Sequence, residues 1–423
     1  MRSQPTRFKE GHDIMDVINS TKKISTKNLT IIVLLVAFFV ALIILEQVIG
    51  PTDRMNMLLV SLRQGSIFAL LAVSMNLLNG FTGLFSLGHA GFMLIGATTY
   101  ALFSIPLAQR TDVFLWFSDS YLIRTSFPEV LGNAIGGPGM IMGMLIAITL
   151  AGLITALFAF LVGLPVLRMR SDYLAIATLG FAEIIRALIM WQGLGTLTNA
   201  GNPLRMFTRH VDLNITIGGQ TFGLITFTLA LLSAICIFVI ILLVSSSYGR
   251  AFKAIREDDI AAEAMGINLF KHKQLSFCIS SFFVGIGGAL LAIFMGTVAP
   301  IQFRAAMTYE FLLIVVLGGI GSVSGSVIGA MLFVFASMWW LRGLDSGAFL
   351  GLERITIFGF NIGERVFVSG FRLVVFSVII MCVVLFFRRG LLGDKELPYY
   401  VKKLKDTIVT RIIRKEKAGV SDG

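Results

Sequence analysis

One acid and one base stand close together in an otherwise apolar stretch of the chain. They are Glu183 and Arg186, and both fall within residues 173–191. Side chains three positions apart lie on one face of a helix, so the two can form a salt bridge. A lone charge near the middle of a membrane costs about 2.5–3.5 kcal/mol on insertion scales. Two interpretations stay open: the pair gates or lines a solute path, or it is a buried ion pair that fixes helix packing.

Four polar side chains in glycine-rich turns form a second set of candidates. Ser86 and His89 stand near the start of one apolar block, and Ser322 and Ser324 occupy a comparable turn later in the chain. The N-terminus of a broken helix suits a substrate carboxylate, and free backbone carbonyls suit its ammonium group. We therefore predict that these turns line a substrate path. The alternatives are a buried, hydrogen-bonded histidine at His89 and close packing of small residues in the turns.

Catalytic and metal-binding patterns are absent from the sequence. No G-x-x-x-x-G-K-S/T loop occurs, so the chain does not bind ATP by that route. The four histidines are scattered without an H-E-x-x-H, and the three cysteines lie in apolar blocks without a C-x-x-C. The sequence thus predicts a protein that is not an enzyme and that needs neither a metal nor a cofactor.

The amino-acid composition is typical of a membrane protein. Hydrophobic residues make up 56% of the chain and charged residues 14%, against about 25% charged in soluble domains. The apolar residues form blocks about 20 long, enough to cross about 30 Å of hydrocarbon. We expect an all-α polytopic membrane domain over residues 29–387. Its apolar blocks are residues 29–49, 57–78, 84–108, 140–167, 173–191, 222–244, 275–298, 309–340 and 371–387.

The number of crossings depends on one overlong block. Residues 309–340 are too long for a single crossing, and their middle, residues 318–325, is rich in glycine and serine. We therefore divide the block into two short helices around a turn, which gives about ten transmembrane helices. With an even number, both termini lie in the cytoplasm together with most of the lysine and arginine, as the positive-inside rule requires.

The basic residues lie at the ends of apolar blocks, so the net charge of +11 does not predict binding to nucleic acid. The N-terminal segment, residues 1–28, and the basic tail, residues 388–423, are both expected in the cytoplasm. In the tail, apolar residues at helical spacing alternate with lysine and arginine, a pattern typical of an interfacial helix on anionic membrane lipid. A solvated tail is the alternative.

A cytoplasmic link at about residues 247–273 has the composition of a docking loop. It predicts two very short helices, with Asp258 or Asp259 capping the second and Gly266 ending it. Its alanines permit close approach by a groove of another protein, and its charges can fix the register. An inert amphipathic link is the alternative. The candidate docking residues are Arg250, Arg256, Glu263, Ala264 and Gly266.

Several segments, in order along the chain, resemble one family. Residues 248–268, with residues 83–92, 167–186, 317–325 and 387–393, are similar to LivM-type permease subunits of branched-chain amino acid ABC importers. This resemblance extends over most of the chain. Another segment, at positions 197–204, matches the family's pattern only in part, which leaves urea and short amides open as alternative solutes.

The resemblance implies a permease subunit in the bacterial inner membrane that translocates branched-chain amino acids. It implies two cytoplasmic ATPase subunits, a paralogous permease subunit and an extracytoplasmic solute-binding protein as partners. The loop around residues 263–266 would transmit closure of the ATPases to the helices. A stand-alone, ion-coupled carrier or channel is the competing hypothesis, and a membrane scaffold is a third. The scarcity of intramembrane acids and the docking pattern argue against the carrier.

Overall fold

The computed structural model of the chain describes residues 53–114, 123–169, 171–208, 215–217, 220–222, 225–340, 356–357 and 360–361, with scattered positions between 374 and 393. Helices dominate these residues, as the sequence predicts. The α-helices are α1 (Asp53–Asn76), α2 (His89–Ser104), α3 (Arg110–Val113), α4 (Phe127–Ile135), α5 (Gly137–Val166), α6 (Ser171–Met190), α7 (Gly195–Thr198), α8 (Ile225–Ser245), α9 (Ser247–Glu257), α10 (Asp259–Ala264), α11 (Leu269–Met295), α12 (Ala305–Gly318) and α13 (Val323–Phe335).

Shorter elements join the helices. π-helical turns follow α1 and α13, and 3-10 turns occur in the links between several helices. Two antiparallel hairpins pair β1 (Ile215–Ile217) with β2 (Gln220–Phe222), and β3 (Thr356–Ile357) with β4 (Phe360–Asn361). The expectation of an all-α domain did not include these strands. They occur between helices, where isoleucine, threonine and phenylalanine favour extended backbone.

Long apolar helices support a multi-pass membrane protein. Among the residues described, five helices are long and apolar enough to cross a membrane, and two bent helix pairs raise the number to as many as seven. The five spans are Met57–Phe81, Gly137–Val166, Tyr173–Met190, Ile225–Ser245 and Leu269–Met295.

Two of the predicted crossings lie wholly or mostly outside the residues that the structure describes. Residues 29–49 lie wholly outside the described residues, and only scattered positions of residues 371–387 are described. The N-terminal segment, residues 1–28, and almost all of the basic tail, residues 388–423, also lie outside.

The helix at the centre of the bundle is α11. It is buried along most of its length and packs against α1, α2 and α5. Glycine permits this packing: a Cβ at Gly96 of α2 would lie 2.1 Å from the carbonyl oxygen of Gly285. A Cβ at Gly285 would in turn lie 2.4 Å from the Thr155 hydroxyl of α5. Membrane helices gain van der Waals contact where small residues let their backbones approach, so these glycines hold three helices together.

The long apolar block breaks where the sequence predicts. The two short helices α12 and α13 meet at an angle of 119°. Gly319 and Gly321 in the turn have φ values of +122° and +87°, which residues with a Cβ atom rarely adopt. Ser322 then caps α13, because its hydroxyl accepts a hydrogen bond of 3.1 Å from the N–H of Gly325.

A second bend ends α2 earlier than the apolar pattern predicts. The predicted block reaches residue 108, whereas α2 stops at Ser104 and the next helical segment turns by 106°. Arg110 is almost completely buried beside the end of α2. Its Nη2 donates to Leu102 O (3.0 Å) and its Nε to Ile105 O (3.2 Å). The helix stops here because Pro106, with extended backbone, follows its last residues. The Arg110 cation then satisfies the last carbonyls and stabilises this C-terminus.

Candidate functional site

The predicted docking loop contains the two short helices α9 and α10, which we call the α9–α10 segment (residues 247–266). Phe252 and Ile255 bury the apolar face of α9 against the bundle. Asp258 separates the helices and caps α10, as predicted. Its Oδ1 accepts hydrogen bonds from the N–H groups of Ile260 (2.8 Å) and Ala261 (3.0 Å).

Gly266 ends α10, also as predicted. Its φ is +85°, a left-handed conformation that favours glycine. Its N–H donates to Glu263 O (2.9 Å), and the N–H of Ile267 donates to Ala262 O (3.1 Å). These two bonds form a Schellman motif, which fixes the direction in which the chain leaves α10.

The outer surface of α10 is unusually apolar for a short exposed helix. Ile260 is 82% exposed and Met265 is 83% exposed. Arg250, Glu263 and Ala264 are exposed as well. Large apolar side chains stand here beside charged ones, and the neighbouring helix α9 is packed against the bundle. Such a surface is typical of one that another protein covers.

Arg256 differs from the other candidate docking residues because its side chain turns toward the bundle. Its Nη1 donates to the carbonyl oxygen of Gly80 (3.0 Å), which lies in the π-helical turn after α1. Its Nη2 also donates to Glu257 Oε1 (2.6 Å). Close by, the ammonium of Lys253 lies 5.5 Å from the centroid of the Phe81 ring. Two cations of α9 therefore hold this helix against the end of α1.

Two glycine turns approach Arg256 closely. A Cβ at Gly83 would lie 3.0 Å from Arg256 Cγ, and a Cβ at Gly321 would lie 2.7 Å from Arg256 Nη1. Both glycines have positive φ, +74° and +87°. Gly83 belongs to the link between α1 and α2, and Gly321 to the turn between α12 and α13. One arginine of the α9–α10 segment thus contacts two separate turns of the bundle.

Asn76 joins these turns from inside the bundle. Its side chain is fully buried at the end of α1. Its Nδ2 donates to Ser322 O (2.9 Å) and to Ser326 Oγ (2.7 Å), and its Oδ1 accepts from the N–H of Gly321 (2.8 Å). The amide therefore uses both of its ends to hold the turn between α12 and α13 against α1.

Ser322 and Ser324 belong to the same assembly. Their hydroxyl oxygens lie 3.3 Å apart, and Ser322 is fully buried as the cap of α13. The structure thus brings these two predicted path residues together with Arg256 and with Asn76. The sequence predicted Ser322 and Ser324 for the solute path and Arg256 for the docking loop, and it did not single out Asn76.

Ser86 is fully buried in the link before α2. Its N–H donates to Asn79 Oδ1 (3.2 Å), and its hydroxyl accepts from the N–H of Gly88 (3.4 Å). The N–H of Leu87 donates to Thr178 Oγ1 of α6 (3.0 Å). This link is therefore held both by its own side chains and by a neighbouring helix.

His89 begins α2 and is 3% exposed. Its Nδ1 has no hydrogen-bond partner among the residues the structure describes. The next two N–H groups are already bonded, Ala90 to Thr308 Oγ1 of α12 (3.0 Å) and Gly91 to Gly88 O (3.1 Å). In this conformation, protein oxygens therefore occupy the α2 N-terminus that the sequence suggested for a substrate carboxylate.

Glu183 and Arg186 form the predicted pair on α6. Arg186 Nη2 lies 2.5 Å and Arg186 Nε 2.8 Å from Glu183 Oε2. The side chains remain 41% and 26% exposed, respectively. The pair is therefore formed, but this chain alone does not bury it.

Two functional candidates escaped the sequence analysis. Asn76 is one, and the signal for it is an amide within an apolar block, because such a group must find a buried partner. Glu310 is the other, an acid in the second turn of α12. It is exposed, and within the described part of the chain it makes no ion pair. It was overlooked because it stands at the very edge of a predicted apolar block.

Comparison with known proteins assigns the chain to a family. A family model described as "Branched-chain amino acid transport system / permease component" matches residues 57–387. The chain belongs to this family. The matched range includes the α9–α10 segment, both glycine turns and the α6 ion pair. No solved structure matches the chain.

Curated members of this family are similar to the chain over part of their length. The high-affinity branched-chain amino acid transport system permease protein LivM of Escherichia coli is 33% identical over 288 residues, which cover 63% of this chain and 60% of the relative. The LivM protein of Salmonella typhimurium is 32% identical over 289 residues, with the same coverage of 63% and 60%. The corresponding protein LivH of Escherichia coli is 38% identical over 92 residues, 22% of this chain and 29% of LivH. The chain thus spans 60% of the length of the LivM relatives.

Replacing Asn76 by leucine should lower the free energy of unfolding by about 1–3 kcal/mol, because the half-buried N–H of Gly321 loses its acceptor and Ser322 O and Ser326 Oγ lose a buried donor. Thermal unfolding of the detergent-solubilised protein measures the change. Asn79→Leu is a matched control, since Asn79 Oδ1 accepts one longer bond of 3.2 Å. Asn79→Leu should cost less. Identical unfolding temperatures for Asn76→Leu and the unmodified protein would contradict the role assigned to the amide.

Proposed function

We propose that this chain is one of two permease subunits of an ATP-driven importer of branched-chain amino acids in the bacterial inner membrane. The observation that carries the proposal is the α9–α10 segment, which exposes Ile260 and Met265 while Arg256 anchors it to two turns of the bundle. Membership of the permease family supports the solute class. Separate cytoplasmic subunits hydrolyse ATP, since this chain has no phosphate-binding loop of the G-x-x-x-x-G-K-S/T type.

The charge distribution supports a cytoplasmic location for the α9–α10 end of the bundle. Arg250 and Lys253 lie on α9, and the guanidinium of Arg168, between α5 and α6, lies 5.6 Å from the Phe270 ring at the start of α11. Basic residues therefore gather at one end, as the positive-inside rule expects. Ten crossings follow when α2, α12 and α13 are counted with the five long spans and with residues 29–49 and 371–387. Both termini then lie in the cytoplasm, where the basic tail can lie on anionic lipid.

Coupling to ATP hydrolysis begins, in this proposal, where the ATPase covers α10. Closure of the ATPases displaces the α9–α10 segment, and Gly266 fixes the angle at which that displacement enters α11. Arg256 pulls on the turn that contains Gly80 and on the turn that contains Gly321. Because Asn76 links the same two turns, α1, α12 and α13 move together.

Solute crosses beside these turns and along α6. Ser322 and Ser324 supply hydroxyls near the cytoplasmic exit, and the Glu183–Arg186 pair acts as a gate near the middle of the membrane. Ser86 and His89 lie at the α2 N-terminus, which can receive a carboxylate only after its bond to Thr308 opens. An extracytoplasmic solute-binding protein delivers the amino acid, so selectivity resides largely in that partner.

The Gly266→Val variant should insert normally but lose solute uptake. Valine at φ +85° costs about 1–3 kcal/mol of backbone strain and shifts the direction of the chain after α10. The matched control is Gly266→Asn, because asparagine tolerates left-handed backbone far better. Uptake of radiolabelled leucine by vesicles that contain the full complex and ATP measures both variants. Normal uptake by Gly266→Val would contradict the coupling role of this turn.

The solute class is tested in vesicles that hold the complex of two permeases, two ATPases and the binding protein. Leucine uptake should saturate, should depend on the binding protein and should stop when ATP is withheld. Radiolabelled urea serves as the comparison solute and should not accumulate.

Two results would contradict the proposal in different ways. Robust urea uptake without leucine uptake would overturn the solute and leave the permease role intact. Leucine uptake by this chain alone, without any ATPase, would overturn the mechanism and favour an ion-coupled carrier.

A further inference from the structure

Charged side chains remain uncovered on two neighbouring helices of the bundle. On α6 they are Glu183 and Arg186, whose side chains are 41% and 26% exposed, respectively. On α12 the charged residue is Glu310, which is exposed beside Tyr309, itself 47% exposed. The helices α6 and α12 contact each other. We call these four residues, together with Gly180 and Ile184 of α6, the α6–α12 face.

Both helices place these charges at the same depth. Ala182 of α6 packs against Gly91, where a Cβ would come within 2.6 Å of Ala182 Cα. Thr308 of α12 accepts a hydrogen bond from the N–H of Ala90. Ala182, one position before Glu183, and Thr308, two positions before Glu310, thus touch adjacent residues of α2. Eleven residues separate Ser171, the start of α6, from Ala182, so this level lies about 17 Å along the helix and deep in the membrane.

Exposure of the α6–α12 face to lipid would be energetically unfavourable. An acid in hydrocarbon costs several kilocalories per mole, and Glu310 makes no ion pair with the described residues. The α8 helix offers the comparison within the same molecule. Its 21 residues contain no charged side chain, and its exposed residues include Phe238 and Leu242. The sequence therefore presents a lipid-facing surface on α8 and a different kind of surface on α6 and α12.

Small side chains on the face permit close approach of another helix. A Cβ at Gly180 would meet no atom within 4 Å, so this glycine is not required by packing inside the chain. A glycine with open space in the middle of a membrane helix lets an outside backbone come near. Ile184, one helical turn further on, is 52% exposed and supplies apolar contact beside it.

We propose that the α6–α12 face is buried against the second permease subunit, which presents a basic or hydrogen-bonding group to Glu310. This inference rests on the proposed function, since that function supplies the second permease. The Glu183–Arg186 pair, half-covered in this chain, becomes enclosed between the two subunits. The similarity to both LivM and LivH relatives fits a pair of related subunits.

Site-specific photo-crosslinking in the full complex tests the location. A benzophenone amino acid replaces Tyr309 or Ile184, and Phe238 or Leu242 of α8 in the controls. After irradiation, Tyr309 and Ile184 should give a product with the combined mass of the two permeases, and the α8 positions should not. Lipid adducts alone at Tyr309 and Ile184, or crosslinks within this chain, would overturn the proposal. Equal permease crosslinking from α8 would overturn it as well.

The role of Glu310 has a separate readout. Glu310→Leu should reduce the amount of second permease that copurifies by about tenfold, which corresponds to about 1.4 kcal/mol. Glu310→Gln should reduce it less, because the amide keeps a hydrogen-bonding group, and Phe238→Leu should leave it unchanged. Unchanged or increased copurification with Glu310→Leu would mean that the side chain faces lipid.

The proposed function and the proposed interface are contradicted by different results. If no second permease copurifies with the unmodified chain, the proposed function fails and the interface fails with it. If the second permease copurifies but crosslinks only through other surfaces, the proposed function stands and the interface is wrong.

Discussion

The hydrogen bond from Arg256 to the carbonyl oxygen of Gly80 is the contact on which the α9–α10 end of the bundle depends. A charged donor forms a stronger hydrogen bond to a carbonyl than a neutral donor does. Its loss would take this donor from the Gly80 carbonyl, while among the described residues the guanidinium would keep only its bond to Glu257 Oε1. The Arg256 side chain lies against the backbone at Gly83 and Gly321, where an added Cβ would come within 3.0 Å of its Cγ and 2.7 Å of its Nη1, respectively. Two separate turns of the bundle are therefore positioned by one side chain of a short helix.

Asn76 connects the Arg256 contact to the interior of the bundle. Its buried amide carries the constraint from the end of α1 to the turn between α12 and α13. In turn, α12 contacts the first turn of α2 through Thr308, and α2 packs against α6 at Gly91. Contiguous contacts thus connect the exposed surface of α10 with the α6–α12 face. Close packing through glycine leaves few gaps between these helices, so in the proposed mechanism a displacement of the α9–α10 segment would be transmitted through these contacts.

Apolar periodicity and length predicted most of the long helices, because crossing a membrane demands about 20 apolar residues. The caps of α10 were equally predictable, since Asp258 and Gly266 act within a few residues of where they stand. Contacts between distant segments were not. Asn76 bonds to Gly321, which lies 245 positions away in the sequence, and no local pattern predicts that partner. The same holds for Arg256, whose charge suggested an exposed docking residue and whose actual partner is a carbonyl oxygen of the bundle.

The central claim is that Arg256 transmits the movement of the docked ATPase, and the number of solute molecules imported per ATP hydrolysed tests it most directly. The measurement compares Arg256→Met with Arg250→Met in vesicles that contain the full complex. Methionine keeps the unbranched stem of the arginine side chain and removes its donors in both variants. Among the described residues, Arg250 donates to the nearby Ser247 hydroxyl. Arg256→Met should still assemble and hydrolyse ATP, with solute import per ATP reduced severalfold. Arg250→Met removes a candidate docking residue and should lower ATP hydrolysis and solute import together, so its import per ATP should match the unmodified complex. An unchanged ratio for Arg256→Met would contradict the claim.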